Sequence, residues 1–100
     1  MSLQVVYGKD IIKREIIEIS EIACPEKKSE ISEMAKKIAF DYFLENVNSD
    51  PSTLARASFF IALKKYNCAS GENVKRLINN NGKKNRWWLN LLPIVEKSLK

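Results

Sequence analysis

The sequence predicts an all-α protein of five helices, with the third buried at the centre. Three observations carry this. Apolar residues recur at three- and four-residue spacing through most of the chain, the pattern of helices with one buried face. Only three Gly and three Pro occur among 100 residues, and no segment is long, polar and repetitive, so little chain is left for loops. The run from Leu54 to Leu63 is apolar nearly all round, and a helix apolar on every side is buried on every side.

The first helix is predicted over 10–24. Asp10 can cap its free amides, and Ile12, Ile16, Ile19 and Ala23 form its inner stripe, widened by Ile11 and Ile22. Glu15, Glu18 and Glu21 fall on the outer side and read as solubilising charge. Pro25 ends this helix, because proline disfavours helical backbone in the residue before it. The second helix, 25–46, starts at Pro25, where a missing amide hydrogen costs nothing, or after Ser29 as cap; it packs through Ile31, Met34, Ala35, Ile38 and Tyr42, with Phe43 beside them.

The third helix, 51–66, starts with Asp50 as cap and Pro51 in its first turn. Only Arg56, Lys64 and Lys65 interrupt its apolar surface. Ala55, Ala57 and Ala62 admit close neighbours, and Phe59, Phe60 and Leu63 fill the gaps. The other four helices are expected to ring it. A turn at 67–71, with Ser70 as cap, leads to a short fourth helix, 71–79, with Val74, Leu77 and Ile78 inward. Asn79, Asn80, Asn81 and Gly82 tolerate left-handed backbone and mark the next turn. The fifth helix, 84–98, places Trp87, Trp88, Leu91, Leu92, Val95 and Leu99 on its apolar side. Pro93 is expected to kink or split it.

One hundred residues make one domain. Net charge is +5, unevenly spread. Residues 1–50 carry seven basic and ten acidic side chains, and residues 51–100 carry ten and two, giving −3 and +8. Such asymmetry points to an anionic partner, nucleic acid first among them. The second helix of the 70–92 pair opens with Lys83, Lys84 and Arg86, where positive charge opposes the helix dipole. In a helix-turn-helix that position faces the DNA major groove. Lys75 and Arg76 on the preceding helix are candidates for the phosphate backbone, as are Lys83 and Lys84; Asn85 and Arg86 are candidates for base edges. Trp87 and Trp88 are candidates for partner contact, since adjacent helical residues rarely share one interior; the alternative is that both lie half-buried.

Catalysis finds no support. The chain has no histidine, no GxSxG, no Gly-rich phosphate loop and no carboxylate cluster with metal-ligand spacing. No cofactor is expected, and Cys24 and Cys68 form no zinc motif. Two reduced, partly buried thiols are expected there, with a disulfide as the alternative. No apolar run is long enough to span a membrane, and no secretion signal is evident, so an intracellular protein is expected.

The segment 52–70, STLARASFFIALKKYNCAS, resembles the central helix of the core repeats of transcription factor IIB and its archaeal relative. Ala57, Phe60, Ala62 and the 71–78 helix take the places of that family's Ala-rich helix, its aromatic and its short fourth helix. The 85–99 helix is similar to the family's last helix, whose start touches DNA in one of the two repeats. Over residues 10–99 the resemblance implies a cyclin-box-like orthogonal bundle. The family has two tandem repeats and a zinc ribbon, whereas this chain has room for one repeat and lacks CxxC. Pro93 interrupts a helix that continues in the family. The implied protein is a single-repeat accessory factor at a promoter or polymerase, or a homodimer standing in for the two repeats. The contrasting expectation is a protein-interaction adaptor, or a small subunit of a larger assembly, without DNA affinity.

Overall fold

A computed structural model describes residues 3–78 and 87–99, with all their side chains except those of Leu3, Gln4, Val74, Ile78, Trp87 and Trp88. Among the described residues the structure is all-α. Its helices are α1 (Leu3–Ile19), α2 (Lys28–Glu45), α3 (Pro51–Lys65), α4 (Gly71–Ile78) and α5 (Trp87–Ser98). Two 3-10 turns, Ser20–Ile22 and Pro25–Lys27, join α1 to α2.

The third helix is central, as its composition requires. It packs against α1, α2 and α5. Leu54, Ala55, Ala57, Phe59, Ala62 and Leu63 are all fully buried. Asp50 caps it: its Oδ2 accepts from the Thr53 amide at 3.0 Å and from the Thr53 hydroxyl at 2.6 Å. Pro51 follows, where a missing amide hydrogen costs nothing. At the other end Asn67 takes a left-handed conformation, φ 58°. The Cys68 amide then reaches the Leu63 carbonyl at 2.8 Å and the Asn67 amide the Lys64 carbonyl at 3.1 Å. This paired closure satisfies carbonyls that the helix end would otherwise leave open. Helix α4 packs on the Ser20–Ile22 turn, and Arg56 ties it to α3.

Helix α1 begins well before Asp10, which corrects the expected start. Val5 and Gly8 extend the buried stripe of Ile12, Ile16 and Ile19 backwards at helical spacing. Asp10 is exposed within the helix and pairs with Arg14 at 2.7 Å. At Gly8 helices α1 and α2 approach closely, because a Cβ there would overlap the Phe43 ring. Ile11, expected to widen the inner stripe, is 40% exposed. The backbone at Cys24 is extended, φ −58° and ψ 128°, as Pro25 requires of its predecessor.

Cys24 and Cys68 are joined as a disulfide, which corrects the expectation of two free thiols. Their Cα atoms lie 5.9 Å apart, an ordinary span for such a bond. The fold brings them together because the α1–α2 junction lies beside the end of α3. Helix α5 runs unbroken through Pro93, so the expected split does not occur. Proline offers no amide to the carbonyl of Leu89, but both residues are exposed and water reaches that side. Val95 is fully buried, Leu91 and Leu92 are half-buried, and Leu99 is exposed rather than inward.

Candidate nucleic-acid interface

Lys75 and Arg76 lie in the last turn of α4, and both are exposed. The next residue, Leu77, is fully buried. Successive helical side chains diverge by about 100°, so burying Leu77 turns the two cations outward. Their charge suits the carbonyl end of the helix, and Glu72 suits its start.

Helix α4 is short and is fixed at both ends by side chains. At its start the Ser70 hydroxyl accepts from the Asn73 amide at 3.1 Å. The Asn73 side-chain amide donates to the Cys68 carbonyl at 2.7 Å, and Cys68 is itself held by the disulfide. At its end Arg56 Nη1 donates to the Leu77 carbonyl at 2.7 Å. That carbonyl belongs to the last turn, where no intrahelical donor remains.

Arg56 is 5% exposed and comes from the middle of α3. Its charge is met by Glu15 on α1: Nε and Nη2 both reach Glu15 Oε1, at 2.8 and 2.7 Å. Glu15 is thus a partly buried ion-pair partner, not a solubilising charge. A guanidinium in an apolar helix needs such a partner, since an unpaired buried charge is strongly unfavourable. Three helices therefore meet at one side chain, and the meeting point sets where α4 ends. Sequence reasoning treated Arg56 only as an interruption. Its isolation in an apolar run was the one available signal.

Of the other sequence candidates, Lys83, Lys84, Asn85 and Arg86 lie outside the described residues. Trp87 and Trp88 form the start of α5, and their side chains lie outside the description too. The chain order still sets the segment 79–86 directly after the Arg56-held end of α4.

A groove of about 500 Å³ opens between α5 and the start of α3, lined by Ser49, Asp50, Thr53, Asn90, Leu91 and Ile94. Among the described residues, no cluster of three or more Cys, Asp or Glu could hold a metal ion. No described helix is long and apolar enough to cross a membrane. Two exposed cations on a fixed helix supply charge and hydrogen-bond donors, which is the chemistry of anion binding. Among known proteins, the chain matches no family, no curated sequence and no solved structure.

Proposed function

We propose that the chain is a nucleic-acid-binding, transcription-associated helical module that acts as an accessory factor rather than an enzyme. In this reading it contacts double-stranded DNA through the end of α4 and the start of α5. The observation that carries it is the exposed pair Lys75 and Arg76 on a helix end held by the buried Arg56, immediately before a segment containing Lys83, Lys84 and Arg86. The +8 charge of residues 51–100 supports it. Lys75, Arg76, Lys83 and Lys84 meet phosphates; Asn85 and Arg86 reach base edges. Five helices with a buried third also fit a single cyclin-box-like orthogonal bundle, the arrangement that the 52–70 segment resembles. An intracellular role of this kind is compatible with the Cys24–Cys68 bond in organisms whose intracellular proteins keep disulfides, hyperthermophiles among them.

The second reading is an adaptor, or a subunit of a polymerase or other assembly, without DNA affinity. The groove beside α5, with Leu91 and the half-exposed Ile94 in its wall, favours it. Fluorescence anisotropy of a labelled duplex of about 20 base pairs separates the two, because phosphate contacts make binding weaken steeply with salt. Salt-sensitive binding that is lost when Lys83, Lys84 and Arg86 become Glu supports the DNA reading. No binding at low salt favours the adaptor.

A further inference from the structure

We propose that the outer face of α1 is a self-association surface, on which a second copy of this chain docks antiparallel about a two-fold axis level with Ile12. The Ile12 side chain is fully buried, so the line opposite it is the outermost line of the helix. At about 100° per residue, Tyr7, Asp10, Arg14 and Ile17 all fall within about 40° of that line. Tyr7 is 65% exposed and Ile17 71%, the two most exposed large hydrophobic side chains among the described residues. Val6, 50% exposed, lies beside them. Tyr7 and Ile17 thus stand about 15 Å apart along the helix, one at each end of the exposed Asp10–Arg14 pair, so the face has two apolar ends and a charged middle.

The spacing shows what fits there. Tyr7 precedes Asp10 by three residues, and Ile17 follows Arg14 by three. A two-fold axis level with Ile12 sets position 7 opposite position 17, and position 10 opposite position 14. Tyr7 then packs on Ile17 of the second copy, and each contact occurs twice, as a self-complementary interface requires. Charge selects the direction. A parallel copy would set Asp10 against Asp10 and Arg14 against Arg14. An antiparallel copy sets each Asp10 against an Arg14, extending the pair that already stands at 2.7 Å within one helix. Lys13 and Glu18, both exposed, form the polar flanks. One helix pair covers less than the roughly 1,200 Å² of a standard stable interface, so the dimer is weak and reversible.

The dimer is independent of DNA binding, and its test contains no DNA. Sedimentation of the full chain up to about 1 mM, a concentration that populates even weak complexes, is expected to show mass rising from the 11.5 kDa monomer towards twice that value. Asp10→Arg and Arg14→Asp each put like charges across the seam, and each variant alone is expected to associate at least ~10-fold more weakly. Mixed in equal amounts, the two restore unlike charges and are expected to associate as the wild type does. Ile17→Lys is expected to abolish association while leaving the melting temperature unchanged, because that side chain is exposed in the monomer. A wild type that stays monomeric throughout overturns the proposal. So does association that survives the single charge reversals, or a mixture that remains monomeric.

Discussion

Arg56 Nη1 donates to the carbonyl oxygen of Leu77 at 2.7 Å, so the middle of the central helix holds the last turn of α4. The same guanidinium is neutralised by Glu15 at 2.7 Å. One side chain thus links the core of the fold to the end of the helix that presents Lys75 and Arg76. The contact is worth testing through its charge partner. Glu15→Ala removes the carboxylate that meets the buried Arg56 at 2.7 Å, and breaking a buried ion pair from one side costs about 3–5 kcal/mol. Urea unfolding of Glu15→Ala, Arg56→Met and the double variant measures it. The account expects a double variant less destabilised than the sum of the singles; simple additivity would show that the two groups do not interact.

The disulfide closes a separation of 44 residues between Cys24 and Cys68. Cross-links of this kind stabilise by about 2–4 kcal/mol, chiefly by restricting the unfolded chain. Reduction with a thiol, or Cys24→Ala, should lower the unfolding free energy by that amount. Hydrogen exchange should then rise first over 67–73, where Cys68 supports both the closure of α3 and the start of α4. Denaturation midpoints with and without reductant check the first expectation, and exchange mass spectrometry the second.

Gly8→Ala sets two effects against each other. Alanine in place of glycine within a helix gains about 1 kcal/mol. Here the new methyl would overlap the ring of Phe43, which is 1% exposed and has little room to move. Overpacking of this sort costs roughly 1–3 kcal/mol, so the account expects a net loss and a lower melting temperature. A rise in melting temperature would mean that α1 and α2 are not in close contact at this point.

Ser58→Ala should act in the other direction. The Ser58 hydroxyl is fully buried in α3 and has no hydrogen-bond partner among the described residues. Burying a hydroxyl without a partner costs about 1–3 kcal/mol, and alanine is also the better helix former. Thermal unfolding should shift upward. A marked downward shift would reveal a partner for the hydroxyl.

The third helix was legible because local rules suffice for it. Asp50–Pro51 marks its start, its own composition marks its burial, and its range agrees with expectation to within one residue. The start of α1 was not legible. Asp10 has the character of a cap, and Gly8 that of a breaker, until the Phe43 ring from another helix shows why a glycine belongs inside α1. Glu15 lies at the edge of the buried arc, and its burial depends on Arg56, 41 residues away. The pairing of Cys24 with Cys68 likewise depends on how α1, α2 and α3 meet. At the candidate site, the exposure of Lys75 and Arg76 followed from the apolar spacing that buries Leu77. The side chain that fixes their helix followed from no local pattern, because its partners come from two other helices.

If the end of α4 meets phosphates, the salt slope of DNA binding reports it. Each phosphate contact contributes about 0.9 to the slope of log affinity against log salt. The account predicts that Lys75→Gln with Arg76→Gln weakens binding to all duplex sequences alike and flattens that slope by about 2. A slope unchanged by the double substitution, in a protein that still binds and is still folded, would contradict it.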